Sequence, residues 1–351
     1  MIVENHNNFY FHIMQLEWTT SEWEQAVKRV RSSGIEQTPI KHSLWLSDLI
    51  GADVYLKFEN LHEGGSFKLR GAQHFLFRHR EVHGELPSKV ITASGGNHGM
   101  AVAVACKRLG IPCTVVIPEV SFSESKRHLF EDLYGAKLET AGDCWQDSHD
   151  AAQKIVQDLE SQGIVCCYIH PFLHEWIIQG AGTMAAEIHQ QMSDGMPDVI
   201  LASLGGGGML SGIISYLRAA NLKDSIQVAS VETEGADYFY QSWKKGELIR
   251  LDKITSIATT LGASTGSPET FDLFVKNIDH PMLVSDAEAV KALFDILEHD
   301  HLLVDPSCSA TIAALVKNAD KFKGKRVMVI ICGGNPHLSE CLRWKEKFNI
   351  V

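Results

Sequence analysis

The chain has 351 residues, of which 45% are hydrophobic and 21% charged, and its formal net charge at pH 7 is −11. This length accommodates two domains of ordinary size. The negative charge argues against nucleic acid or an anionic membrane as the partner, but it does not exclude a small zwitterionic substrate. No apolar run approaches the about 20 residues needed to cross a bilayer.

The N-terminus and the cysteines indicate a cytoplasmic protein. Residues 1–20 are predicted to be an extension and not a signal peptide, because Glu4 is acidic and no basic segment precedes a long apolar core. The eight cysteines include no CxxC pair, and several lie in apolar runs. This pattern is typical of reduced, buried thiols and not of a disulfide framework or a zinc site.

A lysine in an unusual setting follows the first predicted elements. The spacing of apolar residues predicts a helix over 21–31, capped by Ser21, a strand over 54–58 and a helix over 71–80. Between the last two lies Lys68, preceded by Gly64 and Gly65 and flanked by apolar neighbours. Such a lysine either forms a Schiff base, since burial makes its amine nucleophilic, or extends its charged end into water.

Strands and helices then alternate along the chain. Strands are predicted over 90–93, 112–117, 136–140, 164–169, 199–203, 226–231 and 327–331, and helices over 100–109, 123–134, 144–162, 175–192, 209–219, 285–298 and 306–318. Asp305 and Pro306 are suited to cap and open the last helix. This alternation predicts an α/β protein with open, mostly parallel sheets covered on both faces.

Four consecutive glycines form the strongest local signal. Gly205, Gly206, Gly207 and Gly208 separate a predicted strand from an apolar helix. Converging backbone amides and a helix N-terminus suit a phosphate group. Neither a following Lys-Ser/Thr pair nor GxGxxG spacing is present, so a nucleotide P-loop and a dinucleotide site are disfavoured. The alternative interpretation is a tight strand–helix turn.

Two further junctions carry polar side chains. Ser94, Gly96 and Asn97 belong to a glycine-rich loop between a strand and a helix, where open α/β sheets bind ligands. Cys332 follows an apolar strand and precedes Gly333-Gly334-Asn335. The alternative for the loop is a plain turn with a helix cap, and a cysteine such as Cys332 is by itself more often a core thiol than a functional one.

Together, the lysine stretch, the Ser94 loop, the four glycines and the Cys332 segment resemble the fold-type-II pyridoxal-phosphate enzymes, in particular the L-serine/L-threonine dehydratase and serine racemase group. The likeness extends from about residue 38 to the C-terminus. It implies two open twisted sheets in two domains with the cofactor between them. The large domain would comprise 1–80 and 170–351, and the small one 81–169.

The resemblance also implies a role for each motif. Lys68 would form the Schiff base with pyridoxal 5′-phosphate and move the Cα proton. Cys332 would face the pyridine nitrogen, and Asn97 would contact the 3′-oxygen. Ser94 and Gly96, with Asn97, would bind the substrate carboxylate. The remaining cofactor-binding residues would be Phe67, Gly205, Gly206, Gly207, Gly208 and Met209.

Departures from the family pattern narrow the activity. Serine racemases carry a second serine where this chain has Gly95, which has no side chain to donate a proton, so a dehydratase is favoured. Cysteine synthases end this loop in Thr-Gly where this chain has His98-Gly99, so the sulfhydrylation that those enzymes catalyse is disfavoured. The sequence therefore predicts a lyase that eliminates water and ammonia from L-threonine or L-serine. A racemase, a hydroxyaspartate dehydratase and a cofactor-binding pseudoenzyme are the alternatives.

A cation site and an assembly follow from the same resemblance. Glu232 and the carbonyl of Ala236 would be ligands of K⁺, Mg²⁺ or Ca²⁺, for which hard oxygen ligands are suited. Tyr238 stands where a shorter oxygen-bearing residue is usual. The alternative is a structural glutamate at a strand end. A homodimer is the family expectation.

Overall fold

The computed structural model describes residues 14–192 and 195–350, so residues 1–13 of the predicted extension lie outside the described part. The strands are β1 (Ile40–His42), β2 (Asp53–Lys57), β3 (Lys89–Ala93), β4 (Cys113–Ile117), β5 (Lys137–Thr140), β6 (Cys166–Tyr168), β7 (Val199–Ser203), β8 (Gln227–Thr233), β9 (His280–Val284) and β10 (Arg326–Ile330).

The helices alternate with these strands. They are α1 (Thr20–Ser32), α2 (Leu44–Ile50), α3 (Lys68–His83), α4 (Asn97–Leu109), α5 (Glu124–Arg127), α6 (Trp145–Ser161), α7 (Glu175–Gln191), α8 (Gly208–Ala219), α9 (Tyr238–Lys245), α10 (Pro268–Asn277), α11 (Asp286–His299), α12 (Pro306–Lys317), α13 (Ala319–Phe322) and α14 (Leu338–Lys347).

Two sheets organise the fold. Six strands pair in the order β1-β2-β10-β7-β8-β9, all parallel except β1 with β2. Four parallel strands form the second sheet in the order β5-β4-β3-β6. The predicted α/β class with two mostly parallel sheets is confirmed. Parallel strands require crossover connections, which explains why nearly every long helix follows a strand.

Several elements differ from the sequence prediction. The helix after the lysine begins at Lys68 itself and not at residue 71. The predicted helix over 123–134 is only one α-helical turn, α5, followed by the π-helical segment His128–Leu133. The prediction missed β1, α2, α9, α10, β9, α13 and α14.

Capping residues explain where two helices begin. Thr19, and not the predicted Ser21, caps α1: its hydroxyl accepts the Glu22 backbone N–H while the Glu22 side chain returns to the Thr19 backbone. Asp305 caps α12 and Pro306 opens it, as predicted.

Each sheet has its own hydrophobic core. The larger core surrounds β7, β8 and β10, and Leu16 and Trp18 are buried against it. In the second core, Leu69 and Phe75 of α3 pack with residues of β3 and α4. The division into domains at residues 80 and 170 stays a prediction. Among the described residues, no helix has the length and apolarity to span a membrane.

Candidate active site

Three strands direct their carboxyl ends at one cavity. The loop after β7 brings the four glycines, β10 leads to Cys332, and the helix after β3 begins with Asn97. All of them line the cavity together with Lys68 and Phe67. The structure thus brings together residues that are up to 265 positions apart in the chain (67 to 332). This is where open α/β sheets place their ligands.

Lys68 is half-buried in this cavity as the first residue of α3. Its Nζ donates a hydrogen bond to the carbonyl oxygen of Pro171 at 2.7 Å and lies 5.1 Å from the centre of the Phe67 ring. Burial lowers the pKa of Lys68 to about 8, and an electrostatic interaction with Cys332 opposes part of this shift. Near neutral pH a far larger fraction of this amine is therefore unprotonated and nucleophilic than in an ordinary lysine.

The segment that accepts the lysine hydrogen bond is held by a histidine. His170 Nδ1 accepts the backbone N–H groups of Phe172 and Leu173 at 3.2 and 2.9 Å. Burial, with neighbouring histidines and Lys68, holds the pKa of His170 well below its usual range. Burial also lowers the pKa of His98 to about 3, with a contribution from Lys68. Both rings are neutral and place no cation beside the lysine.

A buried ionic network anchors the helix that carries the lysine. Arg70 Nε donates to Glu59 at 2.6 Å, and Arg70 Nη2 donates to Glu187 at 2.7 Å. Lys57 Nζ lies 2.9 Å from the same Glu187 carboxylate. The arginine holds the pKa of Glu59 well below its usual value despite burial. The first turn of α3 is thereby tied to Glu59, which follows β2, and to Glu187, which lies in α7.

The four glycines form a cradle in which no side chain fits. A Cβ on Gly206 would overlap the Phe172 ring, one on Gly205 would lie 3.0 Å from the Thr260 carbonyl oxygen, and one on Gly207 would lie 2.9 Å from Phe274. Gly207 also has φ +87°, which glycine adopts without strain.

The helix that follows the cradle has free amides. Gly207 caps α8, and no side chain among the described residues accepts a hydrogen bond at this cap. The first amides of a helix have no partner within the helix, and its dipole is positive there. Gly208 and Met209 begin α8. These features suit a phosphate group, and this fits the cofactor implied by the sequence.

Asn97 is held firmly at the opposite side of the cavity. Its Nδ2 donates to Asp305 Oδ2 at 3.0 Å, and its Oδ1 accepts from Asn335 at 2.9 Å. Ser94 lies in the loop just before, where its hydroxyl is 3.4 Å from the Gly96 backbone nitrogen. A Cβ on Gly96 would lie 3.8 Å from the Thr260 methyl group, so this loop borders the cavity.

Cys332 is buried against two neighbours. Its Sγ lies 3.5 Å from Ser203 Oγ, at the end of the adjacent strand β7. Burial, and the Cys332 thiol beside it, raise the pKa of Cys308. Among the described contacts, its hydrogen-bonding neighbours are thus a hydroxyl and a thiol, and neither is a carboxylate.

Sequence reasoning missed several residues beside the site. Phe172, Thr260 and Ser307 line the cavity. Lys126 Nζ lies 3.5 Å from the position that a Cβ on Gly95 would take, and it donates to the Ser121 carbonyl at 2.8 Å. Thr260 and Lys126 belong to no motif, whereas Ser307 follows the predicted Asp305-Pro306 helix start and could have been found from it.

The predicted cation ligands have other partners in the structure. Glu232 accepts the backbone N–H groups of Phe239 and Tyr240 at 3.0 and 2.6 Å and so stabilises the start of α9. Burial raises the pKa of Glu232 well above its usual value. Ala236 is buried in the turn before α9. No cluster of three or more His, Cys, Asp or Glu suited to a metal occurs in the described ranges. The cation site stays a prediction.

The site as a whole joins a nucleophilic amine, a cradle for an anion, an amide donor and a thiol. An amine of lowered pKa can condense with an aldehyde, and the cradle can hold the phosphate of the same molecule. The residues present therefore fit pyridoxal phosphate, with Lys68 at its aldehyde and the glycine cradle at its phosphate.

Comparison with known proteins gives a consistent result. A family model described as pyridoxal-phosphate dependent enzyme matches residues 31–333. The chain is 32% identical to the L-serine dehydratase/L-threonine deaminase of Bos taurus over 324 residues. This match covers 90% of this chain and 96% of the relative.

Solved structures show the same fold. Serine racemase from Dictyostelium discoideum is 33% identical, with a TM-score of 0.79 over 92% of this chain and 100% of that one. A fungal L-serine ammonia-lyase from Rhizomucor miehei is 28% identical, with a TM-score of 0.81 over 89% of this chain and 98% of that one. The predicted fold class is confirmed by these similarities.

Proposed function

Because the chain belongs to the family of pyridoxal-phosphate-dependent enzymes, we propose that it eliminates water and ammonia from L-serine or L-threonine. The products are pyruvate or 2-oxobutyrate. The observation that carries this proposal is the convergence of Lys68, the glycine cradle, Asn97 and Cys332 on one cavity. The similarity to a serine dehydratase and to a serine ammonia-lyase favours elimination.

Each residue has a physical task in this reaction. When bound, pyridoxal phosphate supplies a ring that withdraws the electrons left when the Cα proton is removed. Lys68 Nζ carries the cofactor and accepts that proton, which its lowered pKa allows near neutral pH. The cradle at the start of α8 holds the phosphate through backbone amides. Ser94, Gly96 and Asn97 bind the substrate carboxylate.

The thiol of Cys332 disfavours transamination and leaves elimination open. A thiol with a reference pKa near 8.5 is a far weaker acid than an aspartic acid. It therefore does not force a proton onto the pyridine nitrogen of the cofactor that it would face. The electron sink is then weak, and a reaction that discharges the negative charge quickly, by loss of the β-hydroxyl group, is favoured over transamination.

The pH dependence of cofactor capture tests the role of Lys68. The rate at which cofactor-free protein reacts with pyridoxal phosphate is expected to rise with pH and to level off above a midpoint of about 8, because the neutral amine is the nucleophile. Stopped-flow absorption at a series of pH values measures this rate. A rate that still rises beyond pH 10 is the behaviour of an ordinary lysine, with its pKa near 10.4, and would contradict the assignment.

Racemisation is the second candidate, favoured by one observation. The Lys126 ammonium lies beside Gly95, where serine racemases of the family carry their second serine, and the chain is similar to a serine racemase. However, Lys126 Nζ is already bonded to the Ser121 carbonyl, and Gly95 itself has no proton to donate. Elimination is therefore the main proposal.

Product analysis separates the two functions. With L-serine, we expect pyruvate and ammonia in equal amounts and no D-serine, measured by chiral chromatography beside an oxo-acid assay. L-threonine is expected to give 2-oxobutyrate, since one methyl group changes specificity by only about 1–3 kcal/mol. Accumulation of D-serine as the main product would establish racemisation and overturn the proposal.

We also propose that the enzyme works in the cytoplasm as a homodimer. The eight cysteines are free thiols, as a reducing compartment would keep them. Size-exclusion chromatography with light scattering tests the dimer.

A further inference from the structure

The orientation of the Asn97 amide is fixed by one partner that accepts a hydrogen bond from it and one that donates a hydrogen bond to it. The carboxylate of Asp305 accepts from the Asn97 side chain at 3.0 Å, so the atom facing it is the NH₂ group. Asn335 faces the Gly64 carbonyl at 2.8 Å, so its Nδ2 is also assigned, and the same Nδ2 donates to Asn97 Oδ1 at 2.9 Å. One N–H of Asn97 is left for a ligand in the cavity that this residue lines.

These bonds join the two halves of the molecule. Asn97 begins α4, which follows β3 of the four-stranded sheet, whereas Asp305 caps the start of α12 and Asn335 follows β10 of the six-stranded sheet. Asp305 is buried, and its other oxygen accepts the Cys308 backbone N–H at 3.0 Å as the cap of α12. The carboxylate therefore has a fixed position of its own before it receives Asn97.

Two glycines beside these side chains make room for this arrangement. A Cβ on Gly333 would lie 2.7 Å from Asn97 Nδ2, and a Cβ on Gly65 would lie 2.7 Å from the Asn335 side-chain nitrogen. The Ser66–Gly333 bridge ties the chain after β10 to the segment that carries Lys68. The lysine and the amide are thus positioned by one connected set of backbone and side-chain contacts.

We propose that Asp305 is a positioning residue, which holds the Asn97 amide so that its remaining N–H points at the 3′-oxygen of bound pyridoxal phosphate. The inference rests on the proposed function, because it needs the cofactor contact of Asn97. Burial raises the pKa of Asp305, while the donors from Asn97 and the start of α12 oppose this effect. The carboxylate is suited to the task because it accepts from both sides at once.

Asp305→Asn tests this role at nearly constant volume. The Cys308 and Asn97 N–H groups lie at different oxygens of the carboxylate, and an amide keeps an acceptor at only one of these two positions, so it can receive one of the two donors but not both. Asparagine caps helices as well as aspartate does, so its oxygen is expected to keep the cap and its NH₂ to face Asn97. Asn97 must then turn away. We expect about tenfold weaker binding of pyridoxal phosphate and a change in the visible absorption of the bound cofactor.

A double-mutant cycle distinguishes positioning from a general structural effect. Dissociation constants for pyridoxal phosphate are measured by fluorescence titration for wild type, Asp305→Asn, Asn97→Ala and the double variant, with thermal unfolding of the cofactor-free proteins alongside. If Asp305 acts through Asn97, Asp305→Asn weakens binding in the wild type but hardly at all in Asn97→Ala. Equal weakening in both backgrounds, or none in either, overturns the inference. A wild-type protein that binds no pyridoxal phosphate overturns the proposed function as well, so the two failures are distinguishable.

Discussion

Lys68→Ala is expected to abolish the yellow absorption band formed with pyridoxal phosphate and to reduce oxo-acid formation by about a thousandfold or more. The reason is that one amine both binds the cofactor covalently and moves the Cα proton, and the described residues that line the cavity offer no second amine to replace it. Alanine favours helix, so α3 should still begin at this position. Absorption spectra and a coupled oxo-acid assay measure the two effects.

Lys126→Ala provides the matched control for this substitution. Lys126 is the other lysine near the cleft, and burial also lowers its pKa. Its variant should keep the band, because its amine is bonded to the Ser121 carbonyl and is absent from the residues that line the cavity. Borohydride reduction followed by peptide mapping should find the cofactor on Lys68. Cofactor attached at another lysine would refute the assignment.

Arg70→Met is expected to destabilise the protein by about 3–5 kcal/mol. The substitution keeps most of the volume but leaves Glu59 and Glu187 buried with too little positive charge, and an unpaired buried charge is costly. Both Arg70 and Glu59 are completely buried. The effect is measured as a shift in the urea midpoint of the cofactor-free protein, converted to a free energy of unfolding.

Arg78→Met is the control on the same helix. Arg78 pairs with Glu81 at 3.1 Å, but its side chain is 38% exposed, so its loss should cost less than about 1 kcal/mol. Adding Glu59→Gln and Glu187→Gln to Arg70→Met should recover part of the lost stability, because the uncompensated charges are removed. Equal effects of the two arginine substitutions would show that the buried network contributes no more than a surface pair.

The sequence was most informative where the pattern is regular. Apolar runs predicted the central strands β3, β4, β7 and β10, and the glycine-rich turns after β3 and β7 predicted the helices α4 and α8. Between residues 234 and 284 the pattern is weak: α9 has eight residues, and β9 contains Pro281 at the edge of its sheet. The π-helical segment after α5 could not be told from α-helix, because both place apolar residues at similar spacing.

For the site, the sequence predicted which segments carry chemistry but not how they are connected. Each motif follows a strand, and parallel strands bring such ends together, so Lys68, the cradle and Cys332 could be found by reasoning about topology. The contact of Asp305 with Asn97 spans 208 positions and leaves no local pattern. Glu232 is an instructive case, since its carboxylate bonds to backbone amides that a sequence motif does not reveal.

The central claim is tested most directly in one cuvette. The visible spectrum of purified protein with pyridoxal phosphate is recorded before and after L-serine and then L-threonine are added, while oxo acid is followed by a coupled assay. We predict a yellow band that changes on addition of substrate, together with steady formation of pyruvate or 2-oxobutyrate. A protein that stays colourless with pyridoxal phosphate, or a yellow protein that forms no oxo acid from either amino acid, would contradict the account.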